Sequence, residues 1–245
     1  MRDYLRRILL VHKCVGCRRI LGEKDFDKAF CKDCNDAFLV AKMQICPECS
    51  QEVQLCRCMP RLMKKEGVVT FRKLFFYDKE KRSGAQNKLI YFLKSNKSRR
   101  VSREAAEQLC KILCEEMTEL EIDAQEAVIA CVPRSRASAA RYGFDQSAMI
   151  CREISRLCNI EFVRALKRRR GGKPQKSLTA GERRRNIQSL LYPNKACAES
   201  VRDKTVILVD DVVTTGASMS ACSHILKRWG ARQIVCIALS SDINA

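Results

Sequence analysis

The chain has no apolar run approaching the 18 or so residues that a membrane-spanning helix needs, although 46% of its 245 residues are hydrophobic. Membrane insertion is excluded on that ground. Histidine is nearly absent, His12 and His224 being the only two, so acid–base catalysis built on imidazole is not expected. Acidic residues are also scarce, 28 against 47 lysines and arginines, giving a formal charge of +19. A surface so biased attracts polyanions, either nucleic acid or phosphorylated small molecules. The first residues are not expected to be a secretory leader either. Met1 to His12 carries Arg2, Arg6 and Arg7 ahead of Ile8 to Val11, but no small-residue cleavage site follows this brief apolar stretch. The segment reads as a short amphipathic packing helix of a cytoplasmic protein.

Cysteine, by contrast, is abundant, at sixteen. A disulfide scaffold suits short secreted chains, and this chain is long, basic and leaderless. Spacing separates two populations. Eight cysteines fall early, as Cys14-x2-Cys17, Cys31-x2-Cys34, Cys46-x2-Cys49 and Cys56-x-Cys58, whereas Cys110, Cys114, Cys131, Cys151, Cys158, Cys197, Cys222 and Cys236 are scattered. A C-x2-C turn presents two thiolates about 2.3 Å from one tetrahedral Zn²⁺, and two such turns close a four-sulfur site. Two structural zinc ions are expected. The simplest pairing joins Cys14, Cys17, Cys31 and Cys34 around one and Cys46, Cys49, Cys56 and Cys58 around the other, with interleaved pairing as the alternative. Sites filled by sulfur keep no open position for a substrate, so these are structural. A region of this size with few large apolar side chains needs such cross-links to fold. The later cysteines sit beside apolar residues and read as core thiols.

Beyond Pro60 the pattern changes, and a zinc ribbon over 1–62 followed by an α/β domain over 63–245 is expected. Val68 to Phe71 and Leu74 to Tyr77 read as paired strands. Residues 84–95 and Ser102 to Glu119 read as helices, the second through Ala105, Ala106, Leu109, Ile112, Leu113 and Met117. Val128 to Val132, Thr205 to Val209 and Gln233 to Leu239 read as buried strands, separated by helices over Asp145 to Leu157 and Ser218 to Trp229. Gly230 is placed to stop the last helix. Apolar strands alternating with helices predict a parallel sheet covered on both faces. Between Arg164 and Arg185 ten basic residues face one acid, Glu182, with Gly171, Gly172 and Pro174 among them. Such a stretch serves equally as a solvated loop or as a phosphate or nucleic-acid contact.

The most informative segment runs from Val206 to Ser218, VILVDDVVTTGAS. An apolar strand ends in Asp210 and Asp211, and a Thr/Gly loop then opens a helix. At the carboxyl end of a parallel strand such a loop aims free amides, hydroxyls and the helix dipole at one point, which suits a phosphate. Carboxylates just before it can accept hydrogen bonds from a vicinal diol, so a ribose carrying a 5′-phosphate is the expected ligand. The dinucleotide fingerprint, whose ribose acid lies about 20 residues from its glycines, does not match.

This segment resembles the phosphoribosyl pyrophosphate (PRPP) motif of the type I phosphoribosyltransferases. Other stretches resemble the competence protein ComF family: Val132-Pro133-Arg134, then Arg141 to Gln146, where Tyr142 and Asp145 depart from that family's Arg and Asn. Leu89 to Lys94 is similar to its LIxxLK helix, and Gln175, Leu178, Arg183 and Asn186 to its Q…L…R…N segment. The resemblance spans nearly the whole chain and implies a type I phosphoribosyltransferase fold (a parallel sheet flanked by helices) behind a double zinc ribbon. It implies that Asp210 and Asp211 hold the ribose hydroxyls while Val213, Thr214, Thr215, Gly216, Ala217 and Ser218 bind the 5′-phosphate. Pro133, Arg134 and Ser135 would form the pyrophosphate turn, and Gln175 to Asn186 a closing hood from which Arg183 reaches the pyrophosphate. Lys94 matches the family without an assignable role. The implied reaction is displacement of Mg²⁺-pyrophosphate from C1 of PRPP, the Mg²⁺ held chiefly by substrate oxygens and water. The implied setting is DNA uptake in natural transformation, with single-stranded DNA and a competence helicase or other DNA-processing protein as partners. The runner-up reading is a catalytically silent PRPP- or nucleic-acid-binding scaffold.

Overall fold

The computed structural model describes residues 11–77, 83–134, 142–169 and 189–242. Five parallel strands, β1 (Thr70–Tyr77), β2 (Ala127–Cys131), β3 (Glu161–Phe162), β6 (Thr205–Val213) and β7 (Gln233–Asp242), form one sheet in the order β1-β7-β6-β2-β3. A short antiparallel pair, β4 (Leu166–Arg168) and β5 (Leu191–Pro193), stands apart from it. The described helices are α1 (Lys32–Lys42), α2 (Arg61–Lys65), α3 (Ala85–Ser95), α4 (Arg99–Glu119), α5 (Gln146–Cys158), α6 (Ala198–Val201) and α7 (Ala217–Arg228). None of the described helices is long and apolar enough to cross a membrane.

The alternation of side chains along β6 explains the two layers. Ile207 and Val209 enter one apolar cluster with Ile90 of α3, Leu109 of α4 and Ile150 of α5. Val206 and Leu208 enter the opposite cluster with Met63 of α2 and Met219 and Leu226 of α7. A strand buried on both faces must be apolar at every position, which is why it reads as a continuous run. Two of the helices, α4 and α5, start where a short polar side chain accepts from a free amide. Ser98 Oγ accepts from Val101 N at 3.4 Å before α4, and Asp145 Oδ1 accepts from Ala148 N at 3.1 Å before α5. Gly230, at φ +86°, follows α7 and lets the chain turn back toward β7.

Three expectations change. The segment Val68 to Tyr77 is one strand beside β7, not a strand pair. Arg72 and Lys73, which look like a charged break, are 2% and 1% exposed because both find partners in the cysteine-rich region. Arg72 donates to Glu116, to Glu115 at 3.0 Å and to the Gln54 carbonyl at 2.9 Å. Lys73 Nζ donates to the carbonyls of Cys56 and Cys58, at 3.3 and 2.8 Å, and to Cys56 Sγ at 3.1 Å. The strand expected over Thr205 to Val209 runs on through both aspartates to Val213. The pair β4–β5 has three residues per strand, too few for a visible alternation. Residues 1–10 of the amino-terminal segment and residues 170–185 of the basic stretch lie outside the described residues.

Packing crosses the junction near residue 62. Val15, Phe30 and Phe38 share a cluster with Phe75 and Leu89, and Phe38 meets Phe75 edge-on with ring centroids 5.6 Å apart. Arg57 also reaches Glu116, at 3.1 Å, so one carboxylate, 1% exposed, collects guanidinium groups from both sides of the junction. Burial raises the Glu116 carboxyl, but the hydrogen bond from Arg72 and the charges of Arg72 and Arg57 outweigh it and hold the group below its ordinary range. A depressed carboxyl stabilises the fold above its unfolded pKa and loses that contribution as pH falls through the folded value. We therefore expect Glu116→Gln to cost about 3 kcal/mol in urea unfolding at pH 7, since it removes the buried partner of Arg72 and leaves only the exposed Glu115. The difference should shrink as pH drops below about 4.

Candidate functional site: a crevice at the sheet switch point and two sulfur quartets

The order of the strands creates one place where the connections diverge. From β2 the chain leaves through α5 to β3 on one side, and from β6 it leaves through α7 to β7 on the other. The carboxyl ends of the adjacent strands β2 and β6 therefore border a crevice, where open α/β sheets bind ligands. Cys131 pairs with Val209, and Val132 N donates to Val209 O at 3.0 Å. This register sets Pro133 and Arg134 beside Asp210 and Asp211.

The pleat sends the two aspartates to opposite faces. Asp211 continues the row of Ile207 and Val209 and meets α3 and α5: Gln146 Nε2 donates to its Oδ2, and Lys94 Nζ lies 3.5 Å from the same oxygen. Asp210 continues the row of Val206 and Leu208 toward α7 and β4. Burial, then the neighbouring Asp211 charge, push the Asp210 carboxyl well above the usual carboxylate range. Arg168 on β4 feels the Asp210 charge, and burial lowers the pKa of that guanidinium. Each carboxylate also accepts from the next main-chain amide, Asp211 N to Asp210 Oδ1 at 2.9 Å and Val212 N to Asp211 Oδ1 at 2.8 Å.

Beyond β6, Val213 is buried, Thr214 and Thr215 are exposed, Gly216 and Ala217 are buried and Ser218 is half-buried. Gly216 caps α7 at φ +71° without a side-chain acceptor for the first amides. A Cβ there would fall 2.7 Å from Pro60 Cβ, so both the conformation and the close approach require glycine. Two exposed threonines and the uncapped first turn of α7 thus follow the aspartates directly in the chain.

Arg134 Nη2 donates to the Lys94 carbonyl at 3.4 Å, and its guanidinium lies 4.9 Å from the Tyr142 ring centroid. Arg134 Nη1 and Gln146 Oε1 are buried with no hydrogen-bond partner among the described residues. Buried polar atoms left open in this way are suited to a bound polar ligand. The donor set fits a Mg²⁺-chelated sugar phosphate in kind: two carboxylates, a cation and a first helical turn. Ser135 and Arg183, with the rest of the segment Gln175 to Asn186, lie outside the described residues. Lys94 and Gln146, which have no assigned role from the sequence, are both brought onto Asp211, and the only signal for them was their place in the matched stretches. Asp145, a departure from the family pattern, is a helix cap, a task asparagine performs equally well.

The eight early cysteines converge in sequential quartets. The sulfurs of Cys14, Cys17, Cys31 and Cys34 lie within 4.8 Å of one another, as do those of Cys46, Cys49, Cys56 and Cys58. Cys17 and Cys31 sulfurs are 3.7 Å apart, close to the roughly 3.8 Å between neighbouring sulfurs of a tetrahedral site with Zn–S bonds of about 2.3 Å. Both quartets fit zinc. The two turns repeat one geometry. Lys13 bridges Ile20 and Ile45 bridges Glu52, while Arg18 (φ +67°) and Ser50 (φ +57°) follow the second cysteine of each turn. Burial disfavours the Cys14 thiolate, but amides of Cys17, Cys31 and Gly16 bring the thiol down to about 7. In Cys46 the amides of Cys49 and Glu48 outweigh the same penalty, again to about 7. His12 is no ligand: its Nδ1 pairs with Phe26 O at 2.8 Å and its ring stacks on Phe26.

A parallel sheet with carboxylates, a cation and an open helical turn gathered at its switch point defines an α/β protein with a polar ligand crevice. The model of the phosphoribosyl transferase domain matches residues 102–243, and the chain belongs to that family. It is 32% identical over 107 residues to the DNA utilization protein YhgH of Escherichia coli O157:H7, covering 43% of this chain and 45% of that protein. It is 29% identical over 110 residues to Competence protein F of Haemophilus influenzae, covering 44% and 47%. The chain thus spans slightly less than half the length of the curated relatives it matches. Among solved structures, a hypoxanthine phosphoribosyltransferase from Staphylococcus aureus aligns over 57% of this chain and 64% of its own, at 17% identity and a TM-score of 0.35.

The quartets generate a prediction that separates one from the other. A Cβ at Gly16 would fall 2.6 Å from Cys34 Sγ, so Gly16→Ala should weaken zinc retention in the first quartet by about tenfold. Chelator competition, followed metal by metal, should then show one weakened and one unaltered site.

Proposed function

We propose that this chain binds PRPP with Mg²⁺ in the crevice between β2 and β6, as a phosphoribosyltransferase-family protein of DNA uptake or DNA utilization. The observation that carries the reading is the juxtaposition of Asp210 and Asp211 with an open helical turn at the switch point. In this reading Asp210 and Asp211 accept hydrogen bonds from the ribose hydroxyls. The hydroxyls of Thr214, Thr215 and Ser218 and the amides through Ala217 surround the 5′-phosphate. Arg134, held by the Lys94 carbonyl and Tyr142, offers its open Nη1 to the pyrophosphate, and Pro133, Ser135 and Arg183 complete that end. Lys94 and Gln146 orient Asp211. Bound Mg²⁺ supplies charge neutralisation of the leaving pyrophosphate. The side chains position PRPP and stabilise charge, with no group in the crevice required to carry a proton.

Residues 1–62 act as a zinc ribbon and 63–245 as the transferase-like domain. Sixteen cysteines, none joined in a disulfide, suit a reducing, cytoplasmic setting. The charge of +19 and the names of the relatives support single-stranded DNA as a second ligand, delivered or handed on by a DNA-processing protein such as a competence helicase.

Three experiments test this. Isothermal titration with PRPP and Mg²⁺ should show binding that Asp210→Asn or Asp211→Asn weakens at least about tenfold, or 1.4 kcal/mol. Absence of binding to the parent protein overturns the reading. Because the Asp210 carboxyl is raised in the fold, its ionisation penalises the folded state increasingly as pH climbs from about 4 through the folded pKa. Asp210→Asn should therefore be more stable than the parent in urea at pH 8, with the advantage fading toward pH 4, even as ligand binding is lost. Filter binding of single-stranded DNA should fall steeply between 50 and 200 mM salt, roughly in line with released counterions. Binding that is absent, or indifferent to salt, removes the DNA part.

A further inference from the structure

Away from the crevice, three of the scattered cysteines come together where α4 and α5 pack. Cys110 and Cys114 lie one turn apart on α4, and Cys158 is the last residue of α5. The sulfurs of Cys158 and Cys110 are 3.1 Å apart. We propose that Cys110 and Cys158 are a peroxide-sensitive dithiol, closing to a disulfide that staples α4 to α5.

The distance distinguishes this pair from a metal site. Thiolates that share a tetrahedral metal stand about 3.8 Å apart, as Cys17 and Cys31 do to within a tenth of an ångström. At 3.1 Å the Cys110 and Cys158 sulfurs are too close to straddle an ion, and lie about 1 Å from the 2.05 Å of a disulfide. Nor do the three thiols form one of the four-sulfur gatherings seen among the described residues.

The surroundings supply a nucleophile and an approach. The side-chain hydrogen bond between Cys158 and Cys110 outweighs the desolvation of Cys158, and Cys114 adds to it, bringing the Cys158 thiol down to about 7. Cys110 moves the opposite way, raised by its bond to Cys158, then by burial and by the charges of Cys158, Cys114 and Glu107. Cys114 is raised by burial, by Cys158 and by Glu115. The two thiols thus differ in acidity, Cys158 being the readier to ionise. A cavity of about 430 Å³ opens beside them, lined by Cys114, Met117, Glu121, Asp123 and Cys158. Its acids repel anionic disulfides such as oxidised glutathione and admit a small neutral oxidant, so hydrogen peroxide is the class of reactant.

The atoms balance in two steps. The Cys158 thiolate attacks one peroxide oxygen; an S–O bond forms, the O–O bond breaks, and hydroxide leaves to become water with a proton. Cys110 sulfur then attacks the sulfenic sulfur; the S–S bond forms, the S–O bond breaks, and the Cys110 proton leaves with that oxygen as a second water. Two electrons pass from the sulfur pair to the peroxide. The proposal is independent of PRPP binding.

The test treats the zinc-loaded full chain with substoichiometric hydrogen peroxide, blocks free thiols and maps linked peptides by mass spectrometry. A Cys110–Cys158 link, formed while the eight ribbon cysteines remain reduced, is the expected result. Before oxidation, Cys158 should alkylate at pH 7 about tenfold faster than Cys114. Cys110→Ala should leave Cys158 as a sulfenic acid that dimedone traps, and Cys114→Ser should keep the link, which guards against a misfolded variant. A Cys114–Cys158 link, or Cys158 unoxidised at a dose that modifies exposed Cys17, overturns the proposal.

Discussion

A strand covered on both faces offers a carboxylate no water until the flanking helices run out, and the placement of Asp210 and Asp211 in β6 follows from that constraint. From Val206 to Val209 the strand is apolar on both sides and every side chain enters one of two clusters. The next two positions sit at the sheet rim, where the loops after β2 and β6 part. Adjacent residues of a pleated strand cannot face the same way, so the acids divide the work. Asp211 is neutralised by Lys94 and hydrogen-bonded by Gln146. Asp210 has less compensation and is held away from its charged form. The strand therefore carries one carboxyl paired with a cation and an amide and one held toward its neutral form.

The cysteine-rich region is organised by a different economy. It has few large apolar residues of its own, and two things replace a private core: the sulfur quartets and the loan of side chains from β1. Phe75 enters the first half and Lys73 the second, while Arg72 and Glu116 lock the seam. A buried ion pair adds little beyond a hydrophobic alternative, but removal of one member is severe. The seam is thus specific rather than merely adhesive. It also fixes where α2 lies, and α2 with Pro60 is the surface against which Gly216 closes. The ribbon in this way sets the floor of the loop that opens α7.

Much of this was legible in the residues. The strand-forming runs of β2, β6 and β7, the amphipathic stripes of α4 and α5 and the cysteine pairs all carry patterns of sufficient length, and the Asp-Asp-to-Ser segment marks the crevice. What escaped depends on partners far along the chain. Arg72 and Lys73 look like a break until Glu116 and Cys56 are seen to receive them. Lys94 and Gln146 are ordinary helix residues until α3 and α5 are docked beside β6. Cys110 and Cys158 pass for core thiols, since 48 residues separate them and no local spacing announces their meeting. The hairpin β4–β5 is too short for its alternation to register.

The ammonium of Lys73 has a further implication. It is sealed in the interior with the Cys56 sulfur and two carbonyls as its hydrogen-bond acceptors. Its solvation thus depends on electron-rich sulfur, and sulfur stays electron-rich when a cation keeps it deprotonated. An unmetallated newly made chain would have to accommodate a stranded cation in the edge strand itself. The second quartet and the edge strand β1 thus share one buried side chain, so whatever holds those sulfurs in place also supports that border of the sheet.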